Sequence, residues 1–143
     1  MSKHAPRVAL WLGWIGAAPF VAGVAGPYLG LTIAPFTGQS LLIYGAVILS
    51  FLGGIHGGLA LRDDEPALER LVAAAVPVLL AWVAALAGGR GGLVLLAAAF
   101  AGLMGYDVVA TRRGMAPHWY TALRWPLTVV VVLLLLLGAR QAL

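Results

Sequence analysis

The chain has 143 residues, 62% of them apolar and 10% charged, with a net charge of +4, a pI near 10.1 and a mean hydropathy of +0.99. Ordinary soluble domains carry about 25% charged residues, so this composition excludes a soluble enzyme or nucleic-acid-binding domain and points to an all-α integral membrane protein. No cysteine is present, which removes disulfides and thiolate metal sites; no metal and no cofactor is expected.

Each crossing of a ~30 Å hydrocarbon core uses roughly 20 residues, so one bundle of five transmembrane helices, residues 1–143, is expected to account for the whole length. The first apolar run covers residues 8–26, behind Lys3 and Arg7 and with Pro19 inside it. Basic residues ahead of an apolar stretch that ends in "FVAGVAG" also fit a cleavable signal peptide, but Pro19 within the run favours a retained span. After "GPYLGLTIAPFTG" comes the second run, residues 39–61. It carries two overlapping GxxxG pairs, Gly53 with Gly57 and Gly54 with Gly58, and a single histidine, His56, between them. Small residues at this spacing let two helix backbones approach closely, which predicts a central position for this helix.

"RDDEP" leads to the third run, residues 71–87, with Asp63 or Asp64 expected to cap it and Pro66 near its first turn. "GGRGG" leads to the fourth, residues 92–110, where Ala98 with Gly102 and Ala101 with Gly105 form a looser small-residue seam, so Gly102 and Gly105 are expected at the packing face. Asp107 stands near its end. On a helical wheel it shares a face with Phe100, Leu103 and Met104, roughly opposite Gly105, which conflicts with placing it on that seam. "RRGMAPH" leads to the fifth run, residues 121–139, whose "VVVVLLLLL" tract reads as lipid-facing. Continuously apolar runs fit helices, since barrel strands alternate over about ten residues.

With the N-terminus in the cytoplasm, the inner segments hold seven cations, Lys3, Arg7, Arg62, Arg70, Arg112, Arg113 and Arg124, and the outer ones two, Arg90 and Arg140. The positive-inside rule therefore orients the chain with its C-terminus outside, in a cell inner membrane. His56 lies five residues short of Leu61, before the exit at Arg62, and Asp107 five residues before Arg112, roughly 8 Å at ~1.5 Å per residue, and Arg124 opens the fifth helix from the same side behind His118, Trp119 and Tyr120. Ionisable groups inside a bilayer cost ~2.5 to 3.5 kcal/mol on insertion scales and usually face the bundle interior and pair. His56, Asp107, His118, Trp119, Tyr120 and Arg124 are accordingly the candidate ligand-binding residues. Each has a structural alternative. His56 would be a neutral ring bonded to a backbone carbonyl. Asp107 would pair with Arg112 or Arg113 at the interface, or reach the headgroups, and Arg124 would snorkel among Trp119, Tyr120 and Trp125.

No HExxH, GxSxG or Walker pattern occurs, so no catalytic residue is nominated, and one intramembrane histidine does not make a haem site. Three functions fit. The first is a binder of an amphipathic or anionic small molecule, with His56 and Arg124 as contacts. The second is an oligomeric transporter or channel switched by His56 protonation, and the third a non-enzymatic assembly partner docking through its glycine seams. The expected partners are the lipid bilayer, a second copy of the chain and a small amphipathic ligand, with no nucleic acid.

The segments "YGAVILSFLGGIHGG" (44–58) and "APHWYTALRWPLT" (116–128) resemble a bacterial membrane family of unknown function related to the mitochondrial transmembrane protein sixty-nine of animals. The resemblance runs from the first helix to the fifth and implies a small polytopic protein of an inner or organellar membrane, with no reaction attached. Size, five spans and tryptophan content also give an architectural likeness to the tryptophan-rich sensory protein family, although the chain lacks that family's Trp-x-Pro-Pro run.

Overall fold

The computed structural model describes residues 4–141, so the orienting cation Lys3 lies outside the described residues. Five helices follow in order: α1 (His4–Tyr28), α2 (Gly38–Ala60), α3 (Leu68–Ala87), α4 (Gly89–Arg112) and α5 (His118–Gln141). All five are long and apolar enough to cross a membrane. The last three begin three residues ahead of their apolar runs, because residues that are poor in hydropathy still close good first turns. In α3 that turn carries Glu69, an acid favoured at the positive end of the helix dipole. In α5, the Pro117 carbonyl accepts from the Tyr120 and Thr121 amides.

The connections show how the chain reverses. Thr37 starts α2 by accepting from the Ser40 amide at 3.1 Å, an ordinary N-cap. The "GGRGG" stretch is not a loop: α3 and α4 are joined through Gly88, with φ of +66° there and +52° at Gly89, values that residues bearing a Cβ rarely adopt. Gly92, now inside α4, lies so close to α3 that a Cβ would stand 2.4 Å from the Ala84 carbonyl oxygen. α4 ends in a Schellman motif, with Met115 N–H donating to Ala110 and Gly114 N–H to Thr111. The expected aspartate cap of α3 is absent. Ala67 is the cap residue, with no side-chain bond, because residues 61–65 are still completing the turn that leaves α2, and Asp63 accepts from Arg70 at 2.6 Å instead.

Consecutive helices pack side by side, α1 closes the ring against α5, and α2 meets α4 across it. α2 and α4 are the two most buried helices. The glycine seams need correction. Gly53 packs closely, since a Cβ there would lie 2.7 Å from the Ala74 carbonyl oxygen, and Gly57 makes ordinary contact with Ala74, but Gly54, Gly58, Gly102 and Gly105 face open space. The helical period explains this: Gly54 is turned about 100° from Gly53, so both pairs cannot face one neighbour. In α4, the large side chains Phe100, Leu103, Met104 and Asp107 point inward, which sends Gly105 out. The small partner lies on α2, where a Cβ at Gly45 would stand 2.8 Å from Leu96. The α5 tract is likewise not wholly lipid-facing, because Val131 and Leu135 turn into the core.

That core occupies the half of the bundle nearest the α1–α2 and α3–α4 connections. Phe20, Leu41, Leu49, Leu93, Leu96, Phe100 and Leu135 are fully buried in it. The Phe20 ring meets Tyr44 and Phe100 edge-on, with centroids 5.0 and 6.2 Å away.

Candidate functional site

In the other half of the bundle each inward stripe continues with polar residues. Along α2, His56 follows Leu49 and Leu52 at helical spacing; along α4, Asp107 follows Phe100 and Leu103; along α5, Arg124 and Thr128 precede Val131 and Leu135. One rule of periodicity therefore delivers three ionisable side chains to one layer.

Asp107 is the centre of this layer and is 0% exposed, with His56 at 4% and Arg124 at 5%. His56 Nε2 donates to Asp107 Oδ1 in a short contact, and Arg124 Nε donates to Oδ2 at 2.9 Å. A carboxylate only accepts, so Nε2 of the imidazole carries a hydrogen. The carboxylate is satisfied from two different helices, which is how a buried charge is tolerated. Neither Arg112 nor Arg113 holds it: both are exposed, and Arg113 Nη1 reaches Glu69 at 3.4 Å. Around the triad, Thr121 Oγ1 shares a hydrogen bond with Thr111 Oγ1 and donates to the Asp107 main-chain oxygen at 3.4 Å. The His56 ring stacks edge-on against Tyr106, 4.8 Å between centroids, and Tyr120, at 6.3 Å.

Among the described residues, four buried polar atoms in this half make no full hydrogen bond, Trp119 Nε1, the Tyr120 hydroxyl, Arg124 Nη2 and Thr128 Oγ1, although the Arg124 guanidinium lies close enough to the Tyr120 oxygen to act on it. Three of their residues, Trp119, Tyr120 and Arg124, line a cavity of about 510 Å³ between α1, α2 and α5. Its remaining walls are apolar, with Phe20 and Phe100 at the core end and Leu123 and Leu127 along α5, and Arg124 is the one charged residue among the described residues that line it. Glycines widen it, since Gly13 and Gly16 bring the α1 backbone to its wall. His56 and Asp107 do not line the cavity; they hold Arg124, which does. His118 is exposed and takes no part.

Of the six nominated residues, then, the structure brings five together and leaves His118 aside. Tyr106, Thr111, Thr121 and Thr128 were not foreseen. The three threonines carried a signal, because Thr121 and Thr128 share the α5 stripe with Arg124 and Thr111 lies one helical turn beyond Asp107. The cavity itself had none, since it depends on how α1 leans against α5.

A family model described as a protein of unknown function (DUF3429) matches residues 5–140. Transmembrane protein 69 of Xenopus tropicalis is 38% identical over 143 residues, covering 91% of this chain and 53% of that protein. Transmembrane protein 69 of Mus musculus is 29% identical over 132 residues, covering 87% and 52%. The chain thus spans about half the length of these curated relatives. No solved structure matches it significantly. Five apolar helices and relatives named as transmembrane proteins make this a multi-pass membrane protein. Since the family model runs from the first helix to the fifth, the chain belongs to the DUF3429 family of unknown function.

Proposed function

We propose that the protein binds an amphipathic anion, with its head group on Arg124, Tyr120 and Trp119 and its apolar body in the cavity between α1, α2 and α5. The observation that carries this reading is the set of unpartnered buried polar atoms at one end of an otherwise apolar cavity. A buried donor without an acceptor costs about 1–3 kcal/mol. Arg124 Nη2 and Trp119 Nε1 can only donate, and the Tyr120 hydroxyl can donate too, so the missing partner is an acceptor. A molecule with oxygens at one end and hydrocarbon at the other satisfies both parts of the site. His56 and Asp107 act as positioning residues that fix the guanidinium.

The positive-inside rule supports a cytoplasmic placement for this half: Arg62, Arg70, Arg112 and Arg113 flank it, against Arg90 and Arg140 at the opposite end. An inner membrane of the cell, with the C-terminus outside, is the location that follows.

Native mass spectrometry of the full chain from mild detergent tests the reading. The wild type is expected to carry or take up an added alkyl carboxylate. Tyr120→Phe, which removes one donor and little volume, is expected to lose about tenfold in retention, the worth of a hydrogen bond to a charged group. Gly16→Leu, which fills the cavity, is expected to abolish it. Wild-type protein that takes up no anionic amphiphile, or a Gly16→Leu variant that binds normally, overturns the proposal.

A second reading, assembly with another membrane protein, draws on the outward faces of Gly54, Gly58, Gly102 and Gly105, which leave room for a helix from outside the bundle to approach closely.

A further inference from the structure

The charges already buried in the site decide which charge it accepts. Its own charges are Asp107, negative, and Arg124, positive, joined by the 2.9 Å bond. They cancel while His56 is neutral. An anion on Arg124 Nη2 would leave the buried cluster with one uncompensated negative charge, and an isolated charge in a low-dielectric interior is expensive enough that titratable neighbours change state instead. The neighbours of His56 identify which group changes. From α4 it meets Asp107 and Tyr106, and from α5 Tyr120 and, across the carboxylate, Arg124. From α3 the residues beside this turn of α2 are Ala74 and Pro77, and α1 meets α2 elsewhere, through Gly16 and Gly23. Tyrosine and arginine bring no positive charge they do not already have. Protonated Asp107 would give up one of the two oxygens that accept from His56 and Arg124. Imidazole is the one group among these neighbours that can take a proton and become a cation, and the added proton strengthens the bond to Asp107 that the anion weakens by drawing on Arg124.

Size narrows the ligand further. The cavity is open along one side, past the exposed Leu12 and Phe51; at the roughly 30 Å³ that one water occupies in the liquid, its volume of about 510 Å³ between the helices gives room there for one hydrocarbon chain with a head group. Resting on the function proposed above, we infer that the cavity takes a single-chain amphiphile bearing one negative charge, and that one proton is taken up on His56 with it. The site thus loads the electroneutral pair of anion and proton, and it prefers a monoanion to a dianion because one imidazole compensates one charge.

The test uses the full chain in phosphatidylcholine nanodiscs and an alkylsulfonate probe, whose head group stays ionised across the pH range, so any pH dependence belongs to the protein. Two measurements are made: affinity between pH 5.5 and 8.5, and proton uptake on mixing in weakly buffered solution with an indicator dye. The expected result is an affinity that falls as pH rises, approaching tenfold per pH unit at the alkaline end where binding must bring its own proton, with about one proton taken up per probe bound there. His56→Gln is expected to bind more weakly and to flatten both curves. A wild-type affinity that does not change with pH, or no proton uptake, overturns proton co-binding while leaving the anion site standing. Uptake of two-chain phosphatidylglycerol in preference to the sulfonate overturns the single-chain assignment. Failure of every anion to bind at any pH removes the site and this inference with it. The dye measurement on wild-type protein needs no variant to fold.

Discussion

The two halves of the bundle are built on the same helical stripes and end in opposite ways. Towards the α1–α2 and α3–α4 connections, glycines let the backbones close in. A Cβ at Gly23, Gly92 or Gly138 would collide with Leu41, Ala84 or Leu41 again, and Phe20, Leu96 and Leu135 fill what remains. Towards the α2–α3 and α4–α5 connections, the inward positions are His56, Asp107, Arg124 and threonines, and although α1 packs closely on Leu127 of α5 at Gly13, a cavity with unpartnered donors remains between α1, α2 and α5. The first half is shaped by contact and has no chemistry to offer. The second is held by hydrogen bonds, and its packing is left incomplete where those donors point. Stability and ligand binding are thereby assigned to different ends of the same five helices, and substitutions in the two halves should fail differently.

The largest effect is expected at Asp107. Replacing it with asparagine keeps the shape and removes the charge that Arg124 donates to, leaving a buried guanidinium uncompensated, and breaking a buried pair in this way costs about 3–5 kcal/mol. Thermal unfolding in detergent should show a large loss for Asp107→Asn and a smaller one for the double variant Asp107→Asn/Arg124→Gln, in which no charge is stranded. Equal losses in the two would mean that the polar half is held by packing, as the apolar half is, and would erase the contrast.

Next comes the apolar half. Gly92→Val places a Cβ against the backbone oxygen of Ala84, which cannot swing aside as a side chain can. Overpacking of this kind costs about 1–3 kcal/mol. Gly92→Val should unfold at lower temperature and, being remote from the cavity, should keep the affinity of its folded fraction for an anionic amphiphile. Loss of affinity in Gly92→Val at temperatures where it remains folded would show that the halves are coupled.

The difference between the halves was only partly legible in the sequence. Five apolar runs sufficed for five helices, because hydrocarbon thickness sets their length, and the cost of intramembrane charge drew attention to His56, Asp107 and Arg124. The glycine pattern misled, because GxxxG reports that close approach is sterically open and not which face is used. Asp107 lay on the face with Phe100, Leu103 and Met104, and following the ionisable residue in preference to the small ones would have oriented α4 correctly. Gly45 and Gly138, which do permit close approach, carry no GxxxG spacing, and Gly92 carries one only with Gly88, in a stretch that reads as a loop. The cavity was illegible, since the unpartnered atoms of Trp119, Tyr120 and Arg124 become visible only when their neighbours' positions are known.

A smaller effect is expected at His56. Phenylalanine there keeps the edge-on packing with Tyr106 and removes one of the two bonds to Asp107. Hydrogen bonds between transmembrane helices average about 0.6 kcal/mol, and Arg124 still compensates the carboxylate. His56→Phe should therefore unfold within a few degrees of wild type. A loss as large as that of Asp107→Asn would make the imidazole a structural pillar of the polar half.

The smallest effect is expected on the outside. Gly105 faces open space, with nothing within 4 Å of a Cβ built there, so leucine at this position adds no clash, and it raises helix propensity by roughly the 0.8–1.0 kcal/mol that separates glycine from good helix formers. The change in thermal stability of the monomer should be slight and, if anything, favourable, in contrast to Gly92→Val on the same helix. Size-exclusion chromatography with light scattering then asks whether this face carries a partner: if a second copy docks closely through Gly102 and Gly105, Gly105→Leu should reduce the assembly to monomers while leaving the fold and the affinity for anionic amphiphiles unchanged. Identical mass distributions for wild type and variant would assign the face to lipid, and the only close backbone contacts of α4 would then be those inside the bundle.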